Sequence, residues 1–241
     1  MKKIVFFAIL AIVVLFSSSV YAQLDVGADL MSRYLWRGIN QGNAAHFHPW
    51  ASYTTGGFTA GVWGAYALDP NIGTEENDFS ISYTHSLNKS NSVTMTLLDI
   101  YYGKLGGSFA DFKEDTDPTF VDGDGYGGHT IEAAFEYSGL FHLLFAMNVY
   151  NDEDNSAYAE LGYSLDVNGV GLYMHIGGSL GESTSWYGSG TYGTKEATIT
   201  NVGLTARKNI EISDKFSLPI SASWIWNPDL EESNIVLGVH F

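Results

Sequence analysis

Apolar and polar residues alternate along most of the chain. Over 24–37, Leu24, Val26, Ala28, Leu30, Tyr34 and Trp36 share one face, while Asp25, Asp29, Arg33 and Arg37 share the other. A period of two with faces this different predicts a strand with an apolar medium on one side and a polar one on the other. Ala157, Ala159, Leu161, Tyr163 and Leu165 against Tyr158, Glu160, Gly162, Ser164 and Asp166 repeat the pattern, as do Phe141, Leu143, Phe145, Met147 and Val149 against His142, Ala146 and Asn148. The same period predicts strands over 24–37, 46–55, 57–68, 77–87, 92–103, 128–138, 140–150, 156–166, 169–180, 196–208, 214–226 and 231–241. In 92–103 the parity blurs, because Leu97-Leu98 leaves the face of Asp99 open. These lengths meet the ~9–11 residues that a tilted membrane strand requires.

The connections alternate as well. Long ones follow odd strands (38–45, 69–76, 104–127, 181–195), and tight ones follow even strands at Gly56, Asn88 to Asn91, Gly139, Val167-Asn168 and Asn209 to Ser213. Connections 151–155 and 227–230 are the short exceptions. Long loops at one end and tight turns at the other characterise outer-membrane barrels, as do aromatic girdles. Trp36, Tyr66, Tyr101 and Trp226 sit at one set of strand ends, with Tyr53, Phe58, Tyr137 and Phe241 at the other. The expected fold is all-β: a transmembrane up-and-down antiparallel barrel of about 12 strands.

Both ends of the sequence fit that expectation. Ile235, Leu237, Val239 and Phe241 carry an apolar face to the last residue, where Phe241 would serve recognition by the barrel-assembly machinery. At the other end Lys2 and Lys3 precede an uncharged apolar run from Ile4 to Phe16, then Val20-Tyr21-Ala22. This predicts a signal peptide over 1–22, cleaved after Ala22, with the barrel over 23–241.

Removing Lys2 and Lys3 takes the 11 basic residues to 9 against 27 acidic ones, a mature net charge of −18. So acidic a chain argues against nucleic acid as a partner. There is no cysteine, hence no disulfide framework and no thiolate metal site. Twenty-seven Gly, 15 Tyr, 14 Phe and 6 Trp favour strands.

The segment Ser32-Arg33-Tyr34-Leu35-Trp36-Arg37-Gly38-Ile39-Asn40-Gln41 resembles the opening signature of the TorF-type porin family of bacterial outer-membrane proteins. Looser likeness continues through Tyr158-Ala159-Glu160-Leu161-Gly162-Tyr163 and Met174-His175-Ile176-Gly177, while the acidic insert at 104–127 departs from the family. The resemblance implies an outer-membrane barrel of channel type and supplies no catalytic residues.

On the inner face, parity places Asp29, Arg33 and Arg37 on the first strand, Glu132 and Glu136 on the sixth, Glu160 on the eighth and Arg207 on the tenth. Charge lining a water-filled lumen sets ion selectivity, and the excess of carboxylates predicts a weak preference for cations. The bland counterpart is that these groups pair with one another inside a plugged barrel. Asp111, Glu114, Asp115, Asp117, Asp122 and Asp124 invite a calcium site, but Tyr126 stands where a third ligand belongs and no glutamate closes the loop, so a solvated acidic loop is expected. His46 and His48, assigned to the first outer connection, amount to half a metal site. His85 faces outward with Phe79, Ile81 and Tyr83, and no serine motif accompanies it, so no enzyme is expected.

The expected protein is therefore a narrow passive channel for small hydrophilic solutes in the bacterial outer membrane, with membrane lipid around it and no cofactor. Periodicity leaves the oligomeric state open. The alternative is a non-conducting barrel, adhesive or structural, that binds through loops 104–127 and 181–195, where Trp186, Tyr187 and Tyr192 offer contact surface.

Overall fold

The computed structural model describes residues 22–69, 71–72, 75–103, 109–110, 112, 128–188, 193–194 and 196–241. The expected signal segment up to Tyr21, the carboxylates of the acidic loop and Tyr192 lie outside the described residues.

The strands are β1 (Gln23–Met31), β2 (Tyr34–Trp36), β3 (Ile39–Gly42), β4 (His46–Thr55), β5 (Phe58–Ala67), β6 (Glu75–Asn88), β7 (Asn91–Tyr101), β8 (His129–Ser138), β9 (His142–Tyr150), β10 (Ala157–Val167), β11 (Val170–Ser179), β12 (Ser183–Gly188), β13 (Gly193–Thr194), β14 (Thr198–Ser213), β15 (Phe216–Asn227) and β16 (Glu232–His240). Twelve of them close an antiparallel barrel in the order β1-β16-β15-β14-β11-β10-β9-β8-β7-β6-β5-β4, while β2-β3 and β12-β13 form separate hairpins. The up-and-down path follows from the turns. Gly56 and Gly57 both take positive φ, as do Asn168 and Gly169, the requirement of a two-residue turn that matches strand twist.

The seam joins the first strand to the last. Asp29, Leu30 and Met31 pair with His240, Val239 and Gly238. Ala28 and Phe241 exchange two backbone hydrogen bonds, 3.2 and 2.9 Å, and Ser32 N donates to the Leu237 carbonyl at 2.8 Å. Leu24, Val26, Ile81, Met95, Leu97, Leu161, Ile235, Leu237 and Phe241 are exposed on the outer wall. That apolar exterior is the surface a membrane barrel presents. Many of the buried residues are polar or aromatic and face inward, among them Glu76, Glu132, Asn148, Tyr158, Asn201 and Asn234.

Three features correct the periodic assignment. The chain leaves the wall after Met31, so Tyr34, Trp36 and Arg37 belong to an inserted hairpin and not to a strand over 24–37. Residues 209–213, expected as a turn, continue β14, because Ile210 and Ile212 extend its alternation; the turn is Asp214-Lys215. His46 and His48 start β4 and point into the barrel, buried, instead of lying on a connection. Asp99 pairs with Phe79 and Ile131 on the outer face.

Candidate functional site

The loop-end half of the lumen is filled by the segment between β1 and β4. At its tip Arg37 and Gly38, with φ of 49° and 83°, form the turn between paired Trp36 and Ile39. Glycine is required there: a Cβ on Gly38 would fall 1.9 Å from the Thr200 carbonyl oxygen on β14. The tip is tied to that wall by Thr200 Oγ1 donating to the Arg37 carbonyl at 3.2 Å and Asn227 Nδ2 donating to the Gly38 carbonyl at 3.2 Å.

From this anchored turn the Arg37 side chain crosses to β8. Its Nη1 and Nη2 donate to the two Glu132 oxygens at 2.5 and 2.8 Å, and Nη1 also donates to Tyr187 Oη at 2.6 Å. The guanidinium carbon lies 4.4 Å from the Trp36 ring centre and 4.7 Å from that of Tyr158. A bidentate, ring-sandwiched arginine is well suited to this place, since its fork matches a carboxylate and its plane stacks on aromatics. Trp36 stacks on Tyr187 with 10° between planes, and Tyr187 on Tyr158. Tyr34 donates to Glu76 at 3.1 Å within a nest of His46, His48 and Trp63. Burial, then the neighbouring Glu76 carboxyl, push the Tyr34 phenol well above its ordinary value. Tyr187 is therefore inside the barrel, and half-buried Trp186 lies against Trp36.

The remaining inner-wall charges have distinct settings. Asp29 accepts from His240 Nδ1 at 2.7 Å across the seam, while His240 Nε2 reaches Ser221 Oγ at 2.9 Å. Arg33 donates to Asn234. Glu160 accepts from Tyr158 at 2.7 Å, Tyr173 at 2.9 Å and Asn201 at 3.1 Å. Glu136 accepts from Ser138 at 3.0 Å and lies 3.3 Å from His142 Nε2. Arg207 is exposed to the lumen and makes no ion pair among the described residues. It borders a cavity of about 380 Å³ at the turn end, lined also by Ser138, His142, Ser164 and Tyr173.

Outside the wall, His129 is buried beside Asp99, 2.9 Å away, between Tyr101 and Phe112, with Nε2 3.0 Å from the Phe109 carbonyl. The described residues of the long loop thus fold back over the barrel exterior. Among the described residues no group of three His, Asp or Glu is placed to hold a metal ion; His46 Nδ1 instead meets the Ala44 carbonyl at 2.9 Å.

No protein family and no curated protein matches the chain. Among solved structures it is similar to one from work on the in-meso crystallization of membrane proteins, at 11% identity and a TM-score of 0.51, over 92% of this chain and 83% of that one. At that identity the likeness is one of fold alone.

Proposed function

We propose that this is a bacterial outer-membrane protein, a porin-like passive channel for small hydrophilic solutes with a weak preference for cations, whose loop end is closed in this conformation by the hairpin carrying Arg37. The observation that carries the reading is the chemistry of the interior. Below the hairpin the inward positions bear Ser, Thr, His, Tyr, Glu and Arg side chains, and the turn end keeps a cavity of about 380 Å³. A water path needs such a lining. Asp29, Glu136 and Glu160 face inward from the wall strands beside Arg207, which supports cations as the favoured ions. Nothing in this reading calls for an enzyme or a cofactor.

The dense fill around Arg37 favours a second reading, a non-conducting barrel of structural or binding role. Liposome swelling with a graded series of sugars separates the two. Entry of the smallest sugars with a sharp size limit supports the channel, and impermeability of vesicles holding correctly folded protein supports the alternative.

A further inference from the structure

We propose that the turn-end cavity is a binding site for a small zwitterion of amino-acid size, holding its carboxylate at Arg207 and its ammonium at Glu136. The proposal deepens the channel reading and rests on it only for the solute's route to the lumen. Three observations support it.

The first is charge. Arg207 is the cation of this cavity and is engaged by no carboxylate among the described residues. Other inward arginines are occupied: Arg37 by Glu132, Arg33 by Asn234. Exposed and lining the cavity, the Arg207 guanidinium carries the planar fork that a carboxylate ligand matches. A simple anion would be repelled by the acidic wall nearby, whereas a zwitterion turns that wall into a second contact.

The second is the negative pole. Glu136, 40% exposed, lies beside the cavity residues Ser138 and His142, which orient it at 3.0 and 3.3 Å. Glu160 is saturated by Tyr158, Tyr173 and Asn201 and is therefore not the receptor. Tyr173, 3.3 Å from His142 Nδ1, and Ser164 supply hydroxyls between the poles.

The third is space. Gly171 pairs with Arg207 on the adjoining strand, and a Cβ there would meet only the Arg207 carbonyl at 3.9 Å, an ordinary contact. The wall next to Arg207 thus carries no side chain at Gly171. About 380 Å³ falls at the small end of the ~300–1,000 Å³ typical of small-molecule sites.

The test is ligand-observed saturation-transfer NMR on the full-length mature protein in micelles, with L-serine, glycerate and ethanolamine as probes. Serine carries both charges on one skeleton, and each of the others lacks one. Serine should bind at least tenfold more tightly than either. Arg207→Gln should reduce serine to the level of ethanolamine, and Glu136→Gln to that of glycerate. Gly171→Leu puts a side chain on that wall without altering charge and should remove binding of all three, with heat-modifiable migration certifying a folded barrel. Glycerate binding as tightly as serine, unchanged serine affinity in folded Arg207→Gln, or no binding of any probe would overturn the site. Bilayer conductance measured on the same samples keeps the two proposals apart: conduction without binding sinks only this site, and binding without conduction sinks only the channel.

Discussion

Arg37 and Glu132, 95 residues apart in sequence, meet in a two-pronged ion pair at 2.5 and 2.8 Å that joins the tip of the inserted hairpin to β8. Side-chain exposure is 12% for the arginine and 3% for the glutamate. Removing one member of such a pair leaves a buried charge without its partner, which costs about 3–5 kcal/mol. Glu132→Gln should therefore loosen the hairpin and expose residues 32–45 to protease in folded protein. The double variant Arg37→Met with Glu132→Met should regain much of the protection. Equal protease resistance in Glu132→Gln and the parent would show that the pair does not hold the hairpin.

A second expectation concerns alkaline pH. Burial and Glu76 raise the Tyr34 phenol well above its ordinary value, and burial, opposed by the Arg37 cation, does the same for Tyr187. Raised values mean the folded hairpin prefers neutral phenols. Its stabilisation is complete below the free value of about 10 and is lost as pH rises beyond it. Absorbance titration should show tyrosines that resist ionisation near pH 10 in the parent, with fewer resisting in Glu132→Gln. A parent in which every tyrosine titrates together near 10 would contradict the enclosed hairpin.

The seam yields a third. Phe241 exchanges two backbone hydrogen bonds with Ala28 and exposes its ring on the outer wall. Deletion of Phe241, or Phe241→Asp, should leave export intact and lower the amount assembled in the outer membrane. Parent levels of heat-modifiable Phe241→Asp in membrane fractions would remove the argument.

The barrel was legible because a strand with unlike sides writes its period directly into the sequence, and because turn chemistry such as Asn168-Gly169 marks register. The hairpin was not. Tyr34 and Trp36 continue the parity of Leu24 to Leu30, and no periodic signal records that the chain bends inward after Met31; the Arg37-Gly38 turn, preceded by Tyr34 and Trp36, was the available hint. Likewise Trp186 and Tyr187 read as loop contacts, since aromatic residues at an interface and inside a lumen look alike in one dimension. The inner wall charges could be placed by parity alone, but their pairing could not, because it depends on side chains arriving from the hairpin.

The most direct test of the central claim is conductance in planar bilayers, comparing the parent with Arg37→Gln and Gly38→Ala, whose added Cβ would collide with the Thr200 carbonyl and displace the tip. The parent should give small discrete steps with a reversal potential on the cation side, and both variants larger steps. Glu136→Gln should move that potential toward anions and Arg207→Gln the other way. Both shifts should shrink in high salt, as the screening length falls from ~10 Å at 0.1 M to ~3 Å at 1 M. Correctly folded parent and variants that all remain silent would contradict the channel and leave the non-conducting barrel in its place.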